Sequence, residues 1–276
     1  MITLRLYVEN IAGDWFGWIE DFPGAYASGI TSQDVERSTP RAFADHLQWL
    51  RSHGEPVPDG MWGMMSADFV PQVDQMVAGS AGSVAEARHL MAADSRALRS
   101  HEFDQAMRLL RFTRSDLVDA AGAIPPHEWD TAPLGGQSIR AHMQRLADCE
   151  TSMLGRIGVE PTYRAHPNPL TTLARTREMF EAAVTSAFEE GRAASAASDG
   201  SAWPLSKVLR MSVWHERHTA VQIQARSNPT AYMRSVRHTD AVVRTRDVTD
   251  RSNDLDGIVD EEGATAKYTQ ASGYYY

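Results

Sequence analysis

Histidines on two predicted helices are the residues of this 276-residue chain that could do chemistry. His215 and His218 lie three positions apart in segment 214–223, and His142 lies in an earlier amphipathic segment. Side chains three or four positions apart share one face of a helix, so His215 and His218 could act together. A catalytic metal site needs about three protein ligands and an open coordination position. His142, His215 and His218 are the side chains that could take part in such chemistry, with a divalent metal as a possible cofactor.

Composition limits the kinds of partner. The net charge of −9 and the sequence pI near 5.6 argue against broad nucleic-acid binding, which needs a concentrated basic face. Cys149 is the only cysteine, so the sequence predicts an inert buried thiol and no intramolecular disulfide. No apolar run reaches the roughly 20 residues that span a bilayer, and no signal peptide begins the sequence. We expect a cytoplasmic protein that does not enter the membrane.

The first part of the chain predicts a small α+β unit. Alternating or β-branched patterns predict strands over residues 3–8, 14–20 and 25–28, and a later edge strand over 68–77. Thr31 can cap a helix over residues 32–53, which Pro40 should strain or kink and Gly54 should end. The predicted core residues of this helix are Val35, Phe43, Leu47 and Leu50.

This unit resembles the HicB-like fold, a β-β-β-α-β arrangement related to a degraded RNase H core. The resemblance rests on the run from Trp18 to Thr31 and on the following helix, which ends in Trp49 and Leu50. Members of that family include antitoxins that bind a small toxin, and some also bind DNA through an added domain. This sequence contains no recognisable DNA-binding addition. The resemblance therefore implies the fold and not the antitoxin role.

A linker marked by Gly79, Gly82 and their serine neighbours precedes four predicted helices. The helices are expected over residues 102–121, 138–155, 170–190 and 204–226. The apolar stripe of the first contains Phe103, Met107, Leu110 and Leu117. Four amphipathic helices with one longer connection predict an antiparallel bundle.

The bundle resembles the DinB-like (YfiT-like) family over about residues 96–228. The resemblance rests on the helix order, the turn from Ile124 to Trp129, and segment 214–223. It implies a three-histidine metal site, with two ligands four positions apart on the last helix. His215 stands at the first of those positions, and Thr219 stands at the second. On the second helix, the segment from Ile139 to Glu150 matches the family pattern, but Arg145 occupies the ligand position.

Arg145 cannot replace a ligand, because a protonated guanidinium has no lone pair to donate. A relocated metal site could use His142, His215 and His218, with Glu216 as a further candidate. Alternatively, Arg145 beside His215 would form a cationic pocket. Its guanidinium would then pair either with Glu150 or with a carboxylate or phosphate ligand. Arg114 could supply a second cation to that pocket, or could lie on the surface with its stem over the core.

The last segment has no sustained apolar period and predicts a disordered, acidic tail. Its final residues resemble the leader-and-core layout of ribosomally made peptide precursors. That resemblance implies a modifying enzyme as partner, and the phenols that could be modified belong to Tyr268, Tyr274, Tyr275 and Tyr276. The alternative is an ordinary chain terminus without such a role.

The sequence as a whole predicts four regions. They are a HicB-like α+β domain (1–78), a linker (79–95), a DinB-like four-helix bundle (96–230) and a tail (231–276). Our leading hypothesis is a binding or scaffold protein with a degenerate metal site. The alternatives are a metal-dependent thiol transferase or isomerase, and a carrier of the Tyr-rich peptide. Members of both resembling families often dimerise, so a homodimer or another protein partner is a further expectation.

Overall fold

The computed structural model describes residues 1–11, 13–81, 90–133, 137–162, 165–191 and 203–227. These ranges contain a four-stranded sheet and five α-helices, which confirms the α+β class. The strands are β1 (Ile2–Ile11), β2 (Asp14–Ile19), β3 (Tyr26–Gly29) and β4 (Phe69–Ala81). The helices are α1 (Ser32–Ser52), α2 (Ser100–Gly122), α3 (Ile139–Arg156), α4 (Pro169–Glu189) and α5 (Leu205–Ser227). The predicted tail, with Tyr268, Tyr274, Tyr275 and Tyr276, lies outside the described residues.

The sheet is mixed, with strand order β3-β2-β1-β4. β1 pairs antiparallel with β2 and parallel with β4, and β2 pairs antiparallel with β3. β4 therefore lies at an edge, as its proline predicted, because Pro71 has no N–H to offer a second neighbouring strand. Gly17 of β2 allows α1 to approach closely, since a Cβ there would lie 2.4 Å from a methyl of Val35.

The first helix begins as its sequence predicts. The Asp34 amide donates to Thr31 Oγ1 at 3.1 Å, and the Thr31 amide donates to the Asp34 carboxylate at 3.0 Å. This reciprocal pair satisfies two N–H groups that have no partner inside the helix. Pro40 lies within α1, which nevertheless continues to Ser52. The four predicted core residues of α1 are all buried.

The remaining four helices form a bundle in which α2 packs on α5, and α3 packs on both α4 and α5. Ser138 caps α3, and Asn168 caps α4 with Pro169 in the first turn. All four helices begin and end within two residues of their predicted bounds. None of the described helices is both long enough and apolar enough to cross a membrane.

The sheet and the bundle share one continuous apolar core. It includes side chains of β1, β2 and α1 together with side chains of α2 and α5. Trp214 of α5 is the main contact, with its ring against Phe16, Trp18 and Tyr26 at centroid distances of 5.4, 5.8 and 5.9 Å. The last helix of the bundle is thus also the helix on which the sheet rests. The domain boundaries proposed from the sequence stay a prediction.

Candidate functional site

The histidine-bearing part of α5 lies between the sheet and the other bundle helices. Trp214, Arg217 and His218 contact the sheet and α1, while Glu216 contacts α2 and α4. This division follows from the helical period, because positions 214, 217 and 218 fall on one face. The side chains that the sequence marks as candidates for chemistry are therefore divided between two environments.

His218 contacts the N-terminal sheet. Its Nδ1 lies 2.8 Å from the Tyr26 hydroxyl oxygen, within hydrogen-bond distance. Its ring stacks on Trp214 at 5.7 Å and meets the edges of Phe16 and Tyr26. Burial, and then the charge of Arg145, lower the pKa of His218 to about 4. Burial raises the pKa of Tyr26 to about 12, so both groups are neutral near pH 7.

Arg217 of α5 contacts both α1 and the turn before β3. Its guanidinium donates to the Gly24 carbonyl at 2.8 Å and to His46 Nδ1, and it lies over the Trp49 ring at 4.5 Å. Burial, and then Arg217, lower the pKa of His46 well below its ordinary value, so the imidazole can accept this bond. Sequence analysis did not single out Arg217 or His46.

His142 and Arg145 form the part of the cluster on α3. Arg145 Nη2 lies 2.9 Å from His142 Nδ1 and 3.5 Å from Gln222 Oε1. Burial, and then Arg145, lower the pKa of His142 to about 4 and that of His215 to about 3. The charge of Arg145 thus acts on three neutral imidazoles, and the guanidinium contacts that of His142. His215 is buried, and its Nδ1 has no hydrogen-bond partner within the described part of the chain.

The three histidines influence one another electrostatically, which places them in one neighbourhood. Among the described residues, however, no group of three or more His, Cys, Asp or Glu side chains is arranged to hold a metal ion. Thr219, at the second ligand position of the resembling family, donates its hydroxyl to the His215 carbonyl at 2.8 Å. The relocated metal site therefore stays a prediction for which the described residues provide no coordination geometry.

Glu150, the predicted partner of Arg145, is held by side chains of other helices. Positions five apart on a helix point about 140° away from each other, so the two side chains leave α3 in different directions. Glu150 instead accepts hydrogen bonds from Arg114 at 2.8 Å and from Arg177 at 2.8 Å. Arg114 is therefore not the surface residue of the alternative, because its largely buried guanidinium contacts Glu150 and Glu216. The side chains that hold Glu150 belong to α2 and α4.

Glu150 and Glu216 share these two arginines in a network that joins all four bundle helices. Arg177 Nη2 lies 2.6 Å from Glu216, and Arg114 Nε also donates to Glu216. Thr113 donates to Glu216 at 2.8 Å, while the remaining arginine nitrogens donate to backbone carbonyls of α2 and α4. Two negative and two positive charges balance, which is the condition for holding charges in a protein interior.

The ionisation of this network is set by its own members. Burial alone would raise the pKa of Glu216, but Arg177 and Arg114 outweigh it and hold the pKa below its ordinary value. Burial alone would lower the pKa of Arg177, but the charges of Glu216 and Glu150 outweigh it and raise the pKa above its ordinary value. The sequence contains a signal for this network, because Arg177 occupies a core-facing position between Leu173 and Phe180.

The contacts of the side chains around α5 are better suited to stabilising the fold than to covalent catalysis. Glu216, the carboxylate nearest the histidines in sequence, is saturated by two arginines and a threonine. Burial raises the pKa of the Cys149 thiol to about 12, so it is not a thiolate nucleophile near neutral pH.

Comparison with known proteins adds no assignment: no family model, no curated protein and no solved structure matches this chain.

Proposed function

We propose that this protein is a non-catalytic binding or scaffold protein. In this proposal α5 is the seam between the sheet and the other bundle helices, and His218, next to the expected ligand position at Thr219, holds the sheet against the bundle. The observation that carries the proposal is the contact between His218 and Tyr26, with Nδ1 and the hydroxyl oxygen 2.8 Å apart. A histidine engaged in this way stabilises the junction between the two parts of the chain.

Other contacts along α5 support the same function. Arg217 is committed to Gly24, His46 and Trp49, and Glu216 is committed to the arginine network. Because these contacts occupy the guanidinium of Arg217 and the carboxylate of Glu216, neither group is placed to exchange a proton with a substrate. An active site would instead need a base or nucleophile within reach of a bound substrate.

We further propose that the two parts derive from HicB-like and DinB-like units. The strand and helix order β1-β2-β3-α1-β4 supports the first relationship, and the order of α2 to α5 with a histidine-bearing last helix supports the second. Under this proposal Arg145 and Thr219 are the substitutions that ended metal chemistry in the bundle.

A double-mutant cycle with metal analysis tests the proposed function. Tyr26→Phe and His218→Gln should each lower the free energy of unfolding by about 1 kcal/mol, the usual contribution of one hydrogen bond. The double variant should lose less than the sum, because both changes break the same contact. Tyr7→Phe is the matched control, since it removes another buried hydroxyl of the sheet, bonded to Glu9. Its effect should add to that of His218→Gln.

Metal analysis separates this function from an enzymatic one. Untagged protein dialysed against zinc or nickel should retain no stoichiometric metal, and a chelator should leave its melting temperature unchanged. One bound metal per chain, lost in His218→Gln but kept in Tyr26→Phe, would contradict the scaffold proposal and favour the alternative of a metal-dependent enzyme.

A further inference from the structure

A second junction between the first part of the chain and the bundle lies where α1 ends. His53 is the C-cap residue of α1, and Asp116 belongs to α2. The His53 Nε2 atom lies 3.0 Å from Asp116 Oδ1, and the two side chains are 18% and 34% exposed. The imidazole therefore connects two helices and can still exchange protons with solvent.

Both ring nitrogens of His53 face oxygen atoms. Nδ1 lies 3.0 Å from the Trp49 carbonyl oxygen, and Nε2 faces the Asp116 carboxylate. A carbonyl oxygen and an ionised carboxylate accept hydrogen bonds and donate none, so each nitrogen needs a proton to make its contact. A neutral imidazole has one N–H group and one lone pair, and that lone pair would point at one of the two oxygens.

The nearby hydroxyl of Ser52 does not change this requirement. Ser52 Oγ lies 3.3 Å from His53 Nδ1 but 2.8 Å from the Trp49 carbonyl oxygen. A hydroxyl has one proton to donate, and the shorter contact uses it. His53 Nδ1 is thus left facing oxygen atoms that can accept a hydrogen bond from it.

The position of His53 at the end of α1 also favours a positive charge. The last carbonyl groups of a helix lack N–H partners within it, and the helix dipole places partial negative charge there. The His53 amide is directed at the carbonyls of Leu50 and Arg51. The Trp49 carbonyl therefore takes hydrogen bonds from side chains, those of Ser52 and His53.

The charges around the ring come from α2 and α5. Asp116 of α2 accepts from His53 and also from the Trp49 indole, with Nε1 and Oδ2 2.7 Å apart. Phe112 of α2 contacts the imidazole at 4.8 Å and brings no charge. Arg217 of α5 lies over the Trp49 ring at 4.5 Å. The carboxylate in direct contact favours the imidazolium, and the more remote guanidinium opposes it.

A permanent ion pair joins the same two helices beside His53. Glu55, two positions further along the chain, is buried and pairs with Arg108 of α2 at 2.8 Å. This pair keeps both charges near neutral pH, because an arginine does not release its proton there. The junction thus combines one pair that is always charged with a second, His53 and Asp116, that depends on a bound proton.

From these contacts we propose that His53 is a pH-sensitive clamp between α1 and α2. With protons on both ring nitrogens it bridges the Trp49 carbonyl and Asp116, and release of one proton to solvent breaks one of these two contacts. The buried histidines around α5 respond in the opposite sense and over a lower pH range. The clamp goes beyond the proposed scaffold function and is independent of the contact between His218 and Tyr26.

Nuclear magnetic resonance of the full chain tests the clamp. The reporter is the indole N–H of Trp49, which Trp49→Phe assigns. Between pH 5.5 and pH 9, a range that brackets the ordinary histidine value of about 6.5, its resonance should shift together with the ring nitrogens of His53. Both nitrogens should carry protons at pH 5.5, and one at pH 9. His46, which also stacks on Trp49, stays neutral over this range, because its pKa is lowered well below the ordinary value.

Matched variants separate the clamp from general effects of pH. His53→Gln should abolish the shift of the Trp49 indole. Asp116→Asn should move the midpoint to lower pH, because an amide can donate to a neutral ring as well as accept from a charged one. The control is His127→Gln, which removes an exposed histidine beside Glu128 and should leave the midpoint unchanged.

Three results would each overturn the clamp. The first is an indole resonance that shifts equally with His53 replaced by glutamine. The second is a His53 ring with a single proton at pH 5.5. The third is a midpoint in Asp116→Asn that equals or exceeds that of the unmodified protein.

Discussion

Arg177 of α4 and Glu216 of α5 form an ion pair whose Nη2 and Oε2 atoms are 2.6 Å apart, and both side chains are almost completely buried. Glu216→Gln should lower the free energy of unfolding by about 3–5 kcal/mol, because it leaves buried guanidinium charge without its counterion. Urea unfolding followed by circular dichroism measures the change.

The exposed pair of Arg41 and Asp45, with nitrogen and oxygen 3.9 Å apart, is the control for this prediction. Water screens exposed charges, so Arg41→Gln should leave the unfolding midpoint unchanged within error. Equal effects of Glu216→Gln and Arg41→Gln would mean that the network contributes no more than an ordinary surface pair.

The lowered pKa values of the three histidines predict a dependence of stability on pH. They are about 4, 3 and 4 for His142, His215 and His218 in the folded protein, below the ordinary value near 6.5 for an unfolded chain. Between these values the unfolded chain binds more protons than the folded one, so stability is complete above about pH 6.5 and falls toward pH 4. Each histidine contributes about 1.4 kcal/mol per pH unit within that window.

Unfolding free energies measured at pH 7.5 and pH 5 check this dependence. His142→Gln should reduce the difference between the two values, because the variant has one fewer group that takes up a proton on unfolding. Glu216 has little effect on this comparison. Its pKa is lowered on folding, so the stability that it contributes is present above its ordinary pKa of 4.5 and is lost at lower pH. Identical stability at both pH values would contradict the neutral state of the histidines.

Local patterns were sufficient to predict the elements of the fold. The cap that Thr31 provides spans three residues, and the apolar stripe of α2 repeats every turn. Both are properties of a short stretch of chain, and the structure confirms them. The edge position of β4 also followed from one local feature, the absence of an N–H group at Pro71.

The partners of the site residues could not be predicted in the same way. His218 and Tyr26 are 192 positions apart, and Arg177 and Glu216 are 39 apart. Which side chains meet depends on how the sheet and four helices pack, and one sequence contains no direct record of that. Glu150 is an example, because its partners Arg114 and Arg177 belong to α2 and α4, whereas the sequence suggested Arg145 of the same helix.

Arg217 should be as important for the seam as any residue of the histidine cluster. Arg217→Lys keeps the charge but cannot donate to Gly24 and His46 while also stacking on Trp49, because an ammonium group is not planar. We expect a loss of about 1–3 kcal/mol in the free energy of unfolding. Arg226→Lys is the control on the same helix, since Arg226 also donates to a backbone carbonyl, that of Thr131, at 2.6 Å. It should have the smaller effect, and the reverse order would contradict the role of Arg217.

The closest backbone approach at the seam gives the last prediction, at Gly24 in the turn before β3. Its φ is +82°, and a Cβ there would lie 2.7 Å from Cγ1 of Val213 in α5. Gly60 has nearly the same φ, +84°, but a Cβ there would have no neighbour within 4 Å. Both alanine variants carry the strain of a positive φ, which costs about 1–2 kcal/mol. Gly24→Ala should lose more stability than Gly60→Ala, because it also pushes the turn away from α5. Thermal unfolding of the two variants measures the difference, and equal melting temperatures would mean that the turn does not press on α5.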